Sequence, residues 1–499
     1  MRGVPKGPRR LARGAWPAAG GLRRGACGAL AVAWTGVVAS GQVTAPLTLE
    51  GARELAGARA VAVLAAERDA RVASLEVARL EADLRPQVRL DATVPSYLRS
   101  FRETVQPDGT VRFQPVTINN SAVGLSASQA FANTGGTLRL STGLQRFDDF
   151  EQDVSLYNGS VARLGYAQPL WGFNALKWDR RLLPLQAREA EARLATAREE
   201  AALEATRRFF ALAAAQLAYR IADSNAVASA RLLAIAEERL ALGKVSRGDL
   251  VQLELEGADA RQGRLRAEQV WLGATADFHA LVGEPFAGET LAVVAPALAA
   301  ADDVDVDEAL TRALERRPEA LALARRRLEA ESQLERDRRE NGFRADLSAS
   351  LGLIRSDPAL AEVYADPQLE QVAELRLSVP LVDWGRRRAI VAQSEAELVL
   401  AEALGQRERL DLTTGVRLAA EQANRARAEL AVLERVRDLA EERYRIARAS
   451  YVLGAVPLTE LTLAQQARDQ RLRQYLGGLE NAYAAYAQLT ALTLHDYLR

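Results

Sequence analysis

The chain repeats its own organisation, and this repeat constrains the fold more than any other feature of the sequence. A strand-like segment ends at Pro169 in the first half and at Pro380 in the second. Each proline is followed 74 residues later by a glycine, Gly243 (243 − 169) or Gly454 (454 − 380), so both marks are offset by 211 residues. A chance recurrence of strand, proline, long helix and glycine at one offset is improbable. We therefore predict an internal duplication.

Each half begins with a helix-like segment, Leu47–Ala56 or Val306–Glu315. Apolar and polar residues then alternate with a period of two, which is typical of β-strands. This alternation predicts a strand at 88–94 and its counterpart at 343–353. A second strand, which ends in a proline, is predicted in each half at 162–170 and 374–381.

A long helical hairpin is predicted in each half, because no proline occurs from Leu185 to Glu284 or from Leu381 to Val456. A heptad-like seam supports the first helix. It comprises Leu203, Phe210 and Leu217 with Ala214, Ile221, Ala228, Ile235 and Leu242. About 60 helical residues span roughly 90 Å.

The halves differ at one place. An additional alternating pair, 122–131 and 137–147, is joined by Ala132-Asn-Thr-Gly-Gly136 and predicts a β-hairpin. This hairpin could extend the sheet, form a surface loop or lie against the helices. The predicted organisation is a signal peptide at 1–41, a first repeat at 42–286, a poorly structured linker at 287–305 and a second repeat at 306–499.

The amino terminus has the pattern of a secretory signal peptide. Every charge before Glu50 is positive, and an apolar run from Ala26 to Ala39 ends in small residues. A membrane anchor is the alternative, but the run is shorter than the roughly 20 residues that a spanning helix needs. The only cysteine, Cys27, lies in this run, so the mature chain is expected to contain no disulfide.

Charge argues against a nucleic-acid partner. The chain has 65 basic and 65 acidic residues. Removal of the seven basic residues that precede Glu50 leaves 58 basic against 65 acidic residues, a net charge of −7. An acidic chain does not suit a polyanion.

Catalysis finds little support in the sequence. The two histidines, His279 and His495, are far apart and are best explained by structural or surface roles. Metal-ligand spacings are absent, and Gly243-Lys244 lacks the flanking residues of a phosphate-binding loop. We expect no enzyme activity, no metal and no cofactor. The charge-rich run from Arg325 to Glu340 predicts a solvated helix face.

The two helix turns carry the most informative motif. Leu242-Gly-Lys-Val-Ser-Arg-Gly-Asp-Leu250 corresponds to Leu453-Gly-Ala-Val-Pro-Leu-Thr-Glu-Leu461, so each glycine is followed six residues later by an acid, Asp249 or Glu460. Glycine suits a tight turn. An acid in the first turn of the returning helix would also favour the helix dipole, so capping and a functional role both remain open.

Four to six strands cannot close a membrane barrel, which needs about eight. An open sheet edge is not tolerated in lipid. If these strands enter a membrane, several chains must share one barrel.

The order of elements, the duplication, the strand ending in Gln168-Pro-Leu170 and the two glycine–acid turns resemble the TolC-type outer-membrane efflux and secretion family. The resemblance covers nearly the whole mature chain. It implies a mainly α fold with β, in which a homotrimer shares a twelve-stranded outer-membrane β-barrel continued by a periplasmic α-helical tunnel. It also implies outer-membrane lipid around the barrel, and a periplasmic adaptor protein and an inner-membrane pump as partners.

The resemblance also assigns residues to the periplasmic tip. Tip and adaptor contacts are expected at Gly243, Lys244, Val245, Ser246, Asp249, Leu250, Gly454, Ala455, Val456 and Leu461. Gate residues are expected at Tyr451, Glu460 and Asp249. Well-known members carry an arginine at the position of Val456 and a second acid at that of Leu463, so the resemblance does not determine whether this chain has a salt-bridged closed gate.

The implied function is a passive exit duct of a tripartite efflux or type I secretion system. A structural coiled-coil spacer of the periplasm is the alternative, favoured by the heptad-like helices. The repeated strands that end in proline weigh against it, because a spacer needs no such strands.

Overall fold

The structure is a computed structural model that describes residues 46–241, 246–298, 303–453 and 455–497. The predicted signal peptide at 1–41 lies outside these residues. The described helices are α1 Leu49–Arg59, α2 Val61–Asp83, α3 Ala175–Ala241, α4 Arg247–Val282, α5 Val306–Arg316, α6 Pro318–Glu340, α7 Arg386–Val452 and α8 Leu458–Thr493. The strands are β1 Gln87–Thr93, β2 Tyr97–Val105, β3 Val111–Ala130, β4 Thr137–Asp149, β5 Val154–Trp171, β6 Arg344–Asp357 and β7 Gln368–Ser378.

Equivalent helices of the two halves have equal lengths. Helices α3 and α7 have 67 residues each, and α4 and α8 have 36 each. The offset between equivalent helices is 257 residues before the strands (306 − 49) and 211 after them (386 − 175). The halves therefore differ by 46 residues (257 − 211), all of which lie between α2 and α3 where the first half forms its strands.

The long helices follow from abundant alanine, leucine, arginine and glutamate, which favour helix formation. A helix of 67 residues spans about 100 Å. Helix α3 begins before the expected point, since Pro184 lies inside it. A proline within a helix removes one backbone hydrogen bond, which is why the sequence suggested that the helix begins at Leu185.

All seven strands belong to one antiparallel sheet in the order β1-β3-β4-β5-β6-β7, and β2 also pairs with β3. Ser128 of β3 pairs with β1 on one side and with β4 on the other, and Asn119 of β3 pairs with β2 on one side and with β4 on the other. Strands β1 and β2 therefore lie on the same edge of β3. They form two parts of one edge strand, and the sheet is six strands wide.

The predicted extra hairpin is present as β3 and β4, and both strands are longer than expected. Its turn closes with a hydrogen bond from the Phe131 N–H to the Gly136 carbonyl oxygen, 2.9 Å. Gly135 has a φ of +75°, which glycine adopts without a steric penalty. Of the three placements left open, the structure shows the first: the hairpin lies within the sheet.

Strand β2 and the first part of β3 were missed in the sequence. Their residues pair in register from Tyr97 with Asn119 to Val105 with Val111. Arg99, Arg102 and Glu103 interrupt the apolar–polar alternation in β2, which is why the period-two pattern did not reveal the strand.

The sheet has one apolar and one polar face. Val88, Ala127, Leu140, Leu164 and Leu351 lie side by side across five strands. Their large side chains are 46–70% exposed in the single chain. The adjacent row on the opposite face consists of Arg89, Ser126, Ser141, Arg163, Gly352 and Glu370.

The core lies among the helices. Phe209 and Phe210 of α3 pack with Leu479 and Tyr483 of α8, and the rings of Phe210 and Tyr483 lie 5.5 Å apart. A second cluster surrounds Tyr486 of α8, packed against α5 and α7. Burial of each large apolar side chain contributes about 1.5–3 kcal/mol. The first cluster therefore holds the two hairpins together, and the second holds α5 on α7 and α8.

The predicted linker contains no helix or strand in its described parts, 287–298 and 303–305, but side chains of the long helices hold its backbone. Val293 is buried, and its backbone N–H and C=O both bond to the side-chain amide of Gln216, at 2.7 and 3.1 Å. Asn424 holds the backbone of Val304 in the same way, at 2.9 and 3.2 Å. Side-chain amides replace regular secondary structure here, which alanine-rich and acid-rich composition did not reveal.

The prediction that the run from Arg325 to Glu340 forms a solvated helix face is wrong in part. Leu328 and Leu334 are buried, and Arg325 forms an ion pair with Glu189 of α3, whose exposure is 2%. The hydrogen bond from Arg325 to Glu189 raises the pKa of the guanidinium above its ordinary value, despite the opposing effect of burial. This pair fixes α6 on α3, and a buried charge of this kind requires such a partner.

Among the described helices, none is both long enough and apolar enough to cross a membrane.

Two adjacent glycines of α8 provide a test of the packing between α7 and α8. A Cβ on Gly478 would lie 2.3 Å from Cδ1 of Leu433, whereas a Cβ on Gly477 meets nothing within 4 Å. Alanine favours a helix over glycine by about 1 kcal/mol, so Gly477→Ala should raise the Tm measured by circular dichroism. Gly478→Ala should lower it, because overpacking costs about 1–3 kcal/mol. An equal rise in both variants would contradict the close contact.

Candidate functional site

The candidate site lies at the turns where each long helix reverses. Gly243, Lys244, Val245 and Gly454 are outside the described residues. Leu250 is buried in α4, whereas Ala455 and Glu460 are exposed. Tyr451, Val456 and Leu461 are half-buried.

The first turn favours the capping interpretation for Asp249. Helix α4 begins at Arg247, so Ser246 occupies the N-cap position and Asp249 lies three residues later. The Leu250 N–H donates to the Ser246 carbonyl oxygen at 3.2 Å, which begins the helical ladder. A serine followed three residues later by an acidic residue resembles a capping box. The sequence of this turn therefore leaves helix capping open as a role for Asp249.

The second turn does not offer Glu460 the same arrangement. Helix α8 has Pro457 at its N-cap, without a side-chain cap bond, and the Glu460 N–H donates to the Pro457 carbonyl oxygen at 3.2 Å. Proline has no N–H, so the carboxylate of Glu460 cannot make the return bond of a capping box. An exposed acid in the first helical turn gains from the helix dipole and stays free for another role.

A partly buried polar cluster near the second turn joins the two hairpins. Asn225 of α3 accepts a hydrogen bond from Gln465 of α8 at 2.6 Å and donates to Asp469 at 3.3 Å. Asp469 is 5% exposed. It lies nine residues beyond Glu460, about 13 Å along the helix. We call these three residues the hairpin tie.

Arg468 connects the tie to a ladder of arginine–tyrosine contacts between α7 and α8. Its guanidinium donates to Asp469 at 2.6 and 3.0 Å and lies over the ring of Tyr444 at 4.2 Å. Burial opposes the charged form of Arg468, but the bond and charge of Asp469 prevail and raise its pKa.

The next rung of this ladder is Arg437 over Tyr475, 4.1 Å from the ring centroid. The two rungs are seven residues apart on both antiparallel helices (437 and 444, 475 and 468). Seven residues further towards the turn, the same register brings Tyr451 opposite Leu461. The tie and the ladder therefore end at two predicted site residues.

Sequence reasoning missed the tie and the ladder. Asn225, Gln465 and Asp469 belong to no recognisable motif, and their meeting depends on the packing of α8 on α3. The heptad spacing of Tyr444 and Tyr451, matched by Arg468 and Tyr475 on the partner helix, was the available signal.

The histidines lie elsewhere. His279 packs on Phe286 at 6.2 Å between ring centroids, and His495 packs on Tyr497 at 4.8 Å. Burial, together with Arg312 and Arg316, lowers the pKa of His495. In the part of the chain that the structure describes, no group of His, Cys, Asp or Glu is arranged to hold a metal ion.

Residues 304–493, most of the second half, match the family model of the outer membrane efflux proteins. This part of the chain is similar to the outer membrane efflux proteins. The resemblance to the TolC type is thus confirmed, and the family locates the chain in the outer membrane as an efflux channel. The alternative of a structural coiled-coil spacer finds no support. Comparison with curated proteins gave no significant match.

Solved structures support the fold. A membrane protein from Pseudomonas aeruginosa is 18% identical, with a TM-score of 0.61, over 89% of this chain and 93% of that chain. The CmeC outer membrane channel of Campylobacter jejuni is 13% identical, with a TM-score of 0.62, over 89% and 85%. The outer membrane protein VceC of Vibrio cholerae is 15% identical, with a TM-score of 0.59, over 89% and 96%. At these identities the likeness concerns the fold alone.

The hairpin tie should stabilise the turn region. Asn225→Ala leaves Gln465 and one Asp469 oxygen without this partner, and a buried unsatisfied group costs about 1–3 kcal/mol. Amide hydrogen exchange across 455–469 should therefore accelerate about 5- to 150-fold. Gln252→Ala is the control, because its amide bonds to Glu256 on the exposed surface of α4. Equal exchange in the two variants would show that the tie does not stabilise this region.

Proposed function

We propose that three copies of this chain form a passive exit duct, in which a shared β-barrel continues into a tunnel of long helices. Substrates pass from an inner-membrane pump through a periplasmic adaptor into the duct and leave unchanged, so no catalytic step is required. One observation carries this proposal: a sheet with an apolar face and two unpaired edges.

The edges require a partner. Among the described strands, β7 pairs only with β6, and β1 and β2 pair only with β3. A sheet six strands wide is narrower than the smallest membrane barrels, which have about eight strands. Unpaired backbone groups cannot face lipid, so several copies must complete one barrel.

The two faces suit lipid and water. Strands of membrane barrels alternate between an apolar outside and a polar inside, as the rows through Leu140 and Ser141 do. Tryptophans lie at the helical end of the sheet. Trp171 is the last residue of β5 and is 52% exposed, and Trp384 follows β7 and is 96% exposed. Exposed tryptophans at this level fit the interfacial girdle of a membrane barrel.

The helices also have an unpartnered apolar stripe. On α7, large apolar residues recur at multiples of seven and are 48–62% exposed: Leu404, Leu418, Val432, Leu439 and Ile446. Heptad spacing is the pattern of a helix that packs along another helix. We assign a helix of the neighbouring copy as the partner that covers this stripe. The sheet edges of the same chain already require a neighbouring copy.

Within this duct the two turns form the periplasmic tip. The glycine turns and the residues beside them, from Gly243 to Asp249 and from Gly454 to Leu461, would contact the adaptor. Leu250 was expected among these contacts, but its side chain is buried in α4. Glu460 is the principal gate residue, because its exposed carboxylate has no capping-box partner. Tyr451 lies opposite Leu461 in the helical register and would line the same constriction, with Asp249 in the first turn of α4.

Glu460 should control ion selectivity. Three carboxylates around a narrow axis favour cations. In planar lipid bilayers, Glu460→Ala should lower the cation preference of the channel, seen as a smaller reversal potential in a salt gradient.

The control is Glu76→Ala. It also removes one carboxylate, but from α2, which precedes the sheet in the sequence and is not part of either helix turn. It should leave the reversal potential unchanged. Pore formation with the same ion preference in Glu460→Ala would remove Glu460 from the gate. No conductance from the unaltered protein would contradict the duct.

A further inference from the structure

We infer that the barrel has eighteen strands, six from each chain, and that β7 of one chain pairs with the β1–β2 edge of the next. This inference rests on the proposed trimeric duct. The family resemblance implied twelve strands, four from each chain, so the present chain builds a wider wall.

The added strands lie within the wall. The first half contains 46 more residues than the second between its short and long helices, and the extra hairpin β3–β4 falls in this segment. Strand β4 is paired along its length with β3 from Thr137 to Asp149 and with β5 over the same span. A paired neighbour on both sides excludes a surface loop, and the two extra strands add to the width of the sheet.

Strand direction permits closure. Strand β1 runs away from the helices and β7 runs towards them, because each successive pair in the sheet is antiparallel. With six strands, β7 of one chain and β1 of an identical neighbour are again antiparallel. An odd number would have forced a parallel pair at each junction.

The faces also match at the junction. On β1, Val88 and Leu90 lie on the apolar face and Arg89 on the polar face. On β7, Leu369 and Leu375 lie on the apolar face and Glu370 on the polar face. Pairing between copies with polar faces aligned extends both rows around the barrel, with opposite charges available at the junction.

The width has a consequence for the cargo path. Barrel diameter grows roughly linearly with strand number, so eighteen strands give a barrel about 1.5 times as wide as twelve. Barrels of 16–18 strands leave an open aqueous channel. The narrowest point of this duct is therefore at the helical tip, and cargo that passes the tip meets no comparable constriction in the membrane.

Cysteine cross-linking tests the junction in the full-length protein. In a Cys27→Ser background, Asp91→Cys on the polar face of β1 is combined in turn with Glu370→Cys, Val372→Cys, Glu374→Cys or Arg376→Cys on the polar face of β7. Neighbouring strands lie about 4.8 Å apart, within reach of a disulfide. Mild oxidation of outer membranes should convert chains of at least one pair into covalent dimers and trimers on a non-reducing denaturing gel.

Ser141→Cys is the matched control. It lies on the same face but on β4, which is paired on both sides, and should form no cross-link with any of the four β7 cysteines. Electron cryomicroscopy of the extracted complex should in addition resolve eighteen strands around the barrel.

The outcomes separate the two proposals. Cross-links at Ser141→Cys instead of Asp91→Cys, or a wall of twelve strands in a trimer, would overturn the eighteen-strand barrel and leave the duct intact. A protein that remains a single chain in the membrane would overturn the shared barrel and the proposed function with it.

Discussion

A β-sheet edge in lipid cannot remain unpaired, and the assembly proposed for this chain depends on that constraint. Strand β7 alone has eleven residues, about half of whose backbone groups point away from β6. Each unsatisfied group in hydrocarbon costs several kcal/mol. Together they exceed the free energy of unfolding of a typical domain, about 5–15 kcal/mol. The amphipathic sheet is therefore one part of the proposed barrel, and identical copies of the chain supply the other strands.

The need to pair the sheet edges also determines where the long helices lie in the proposed assembly. A shared barrel positions the copies around one axis, and the long hairpins continue from the strands without a change of chain. Alanine-rich packing holds α1 and α2 on α3, and α5 on α7 and α8, whereas the hairpin tie adds polar interactions near the turns. Buried polar groups must be paired, so the tie favours one register of α8 on α3. Glu460 lies beyond the tie and has no such partner among the residues that the structure describes.

Much of this fold could be predicted from the sequence. Period-two alternation identified parts of β1 and β6, and the repeated segment that ends in a proline identified parts of β5 and β7. The absence of proline identified the long hairpins. Sequence patterns failed at positions where the local residue types do not match the structure that the rest of the fold imposes. Charged residues in β2 concealed a strand, and Pro184 concealed the first turns of α3. Gln216 and Asn424 secure a linker whose composition indicated no structure. For the candidate site, the sequence predicted the positions of the two turns. It did not predict the contact of Asn225 with Asp469, because this contact depends on packing between helices that are distant in sequence.

The central claim is that several chains share one barrel. The most direct measurement is the mass of the complex extracted from outer membranes in detergent, corrected for bound detergent. The account predicts a stable complex with the mass of three chains that leaves the membrane fraction only with detergent. A monomer or dimer released without detergent would contradict the shared barrel, because its sheet edges would then persist without partners from other copies.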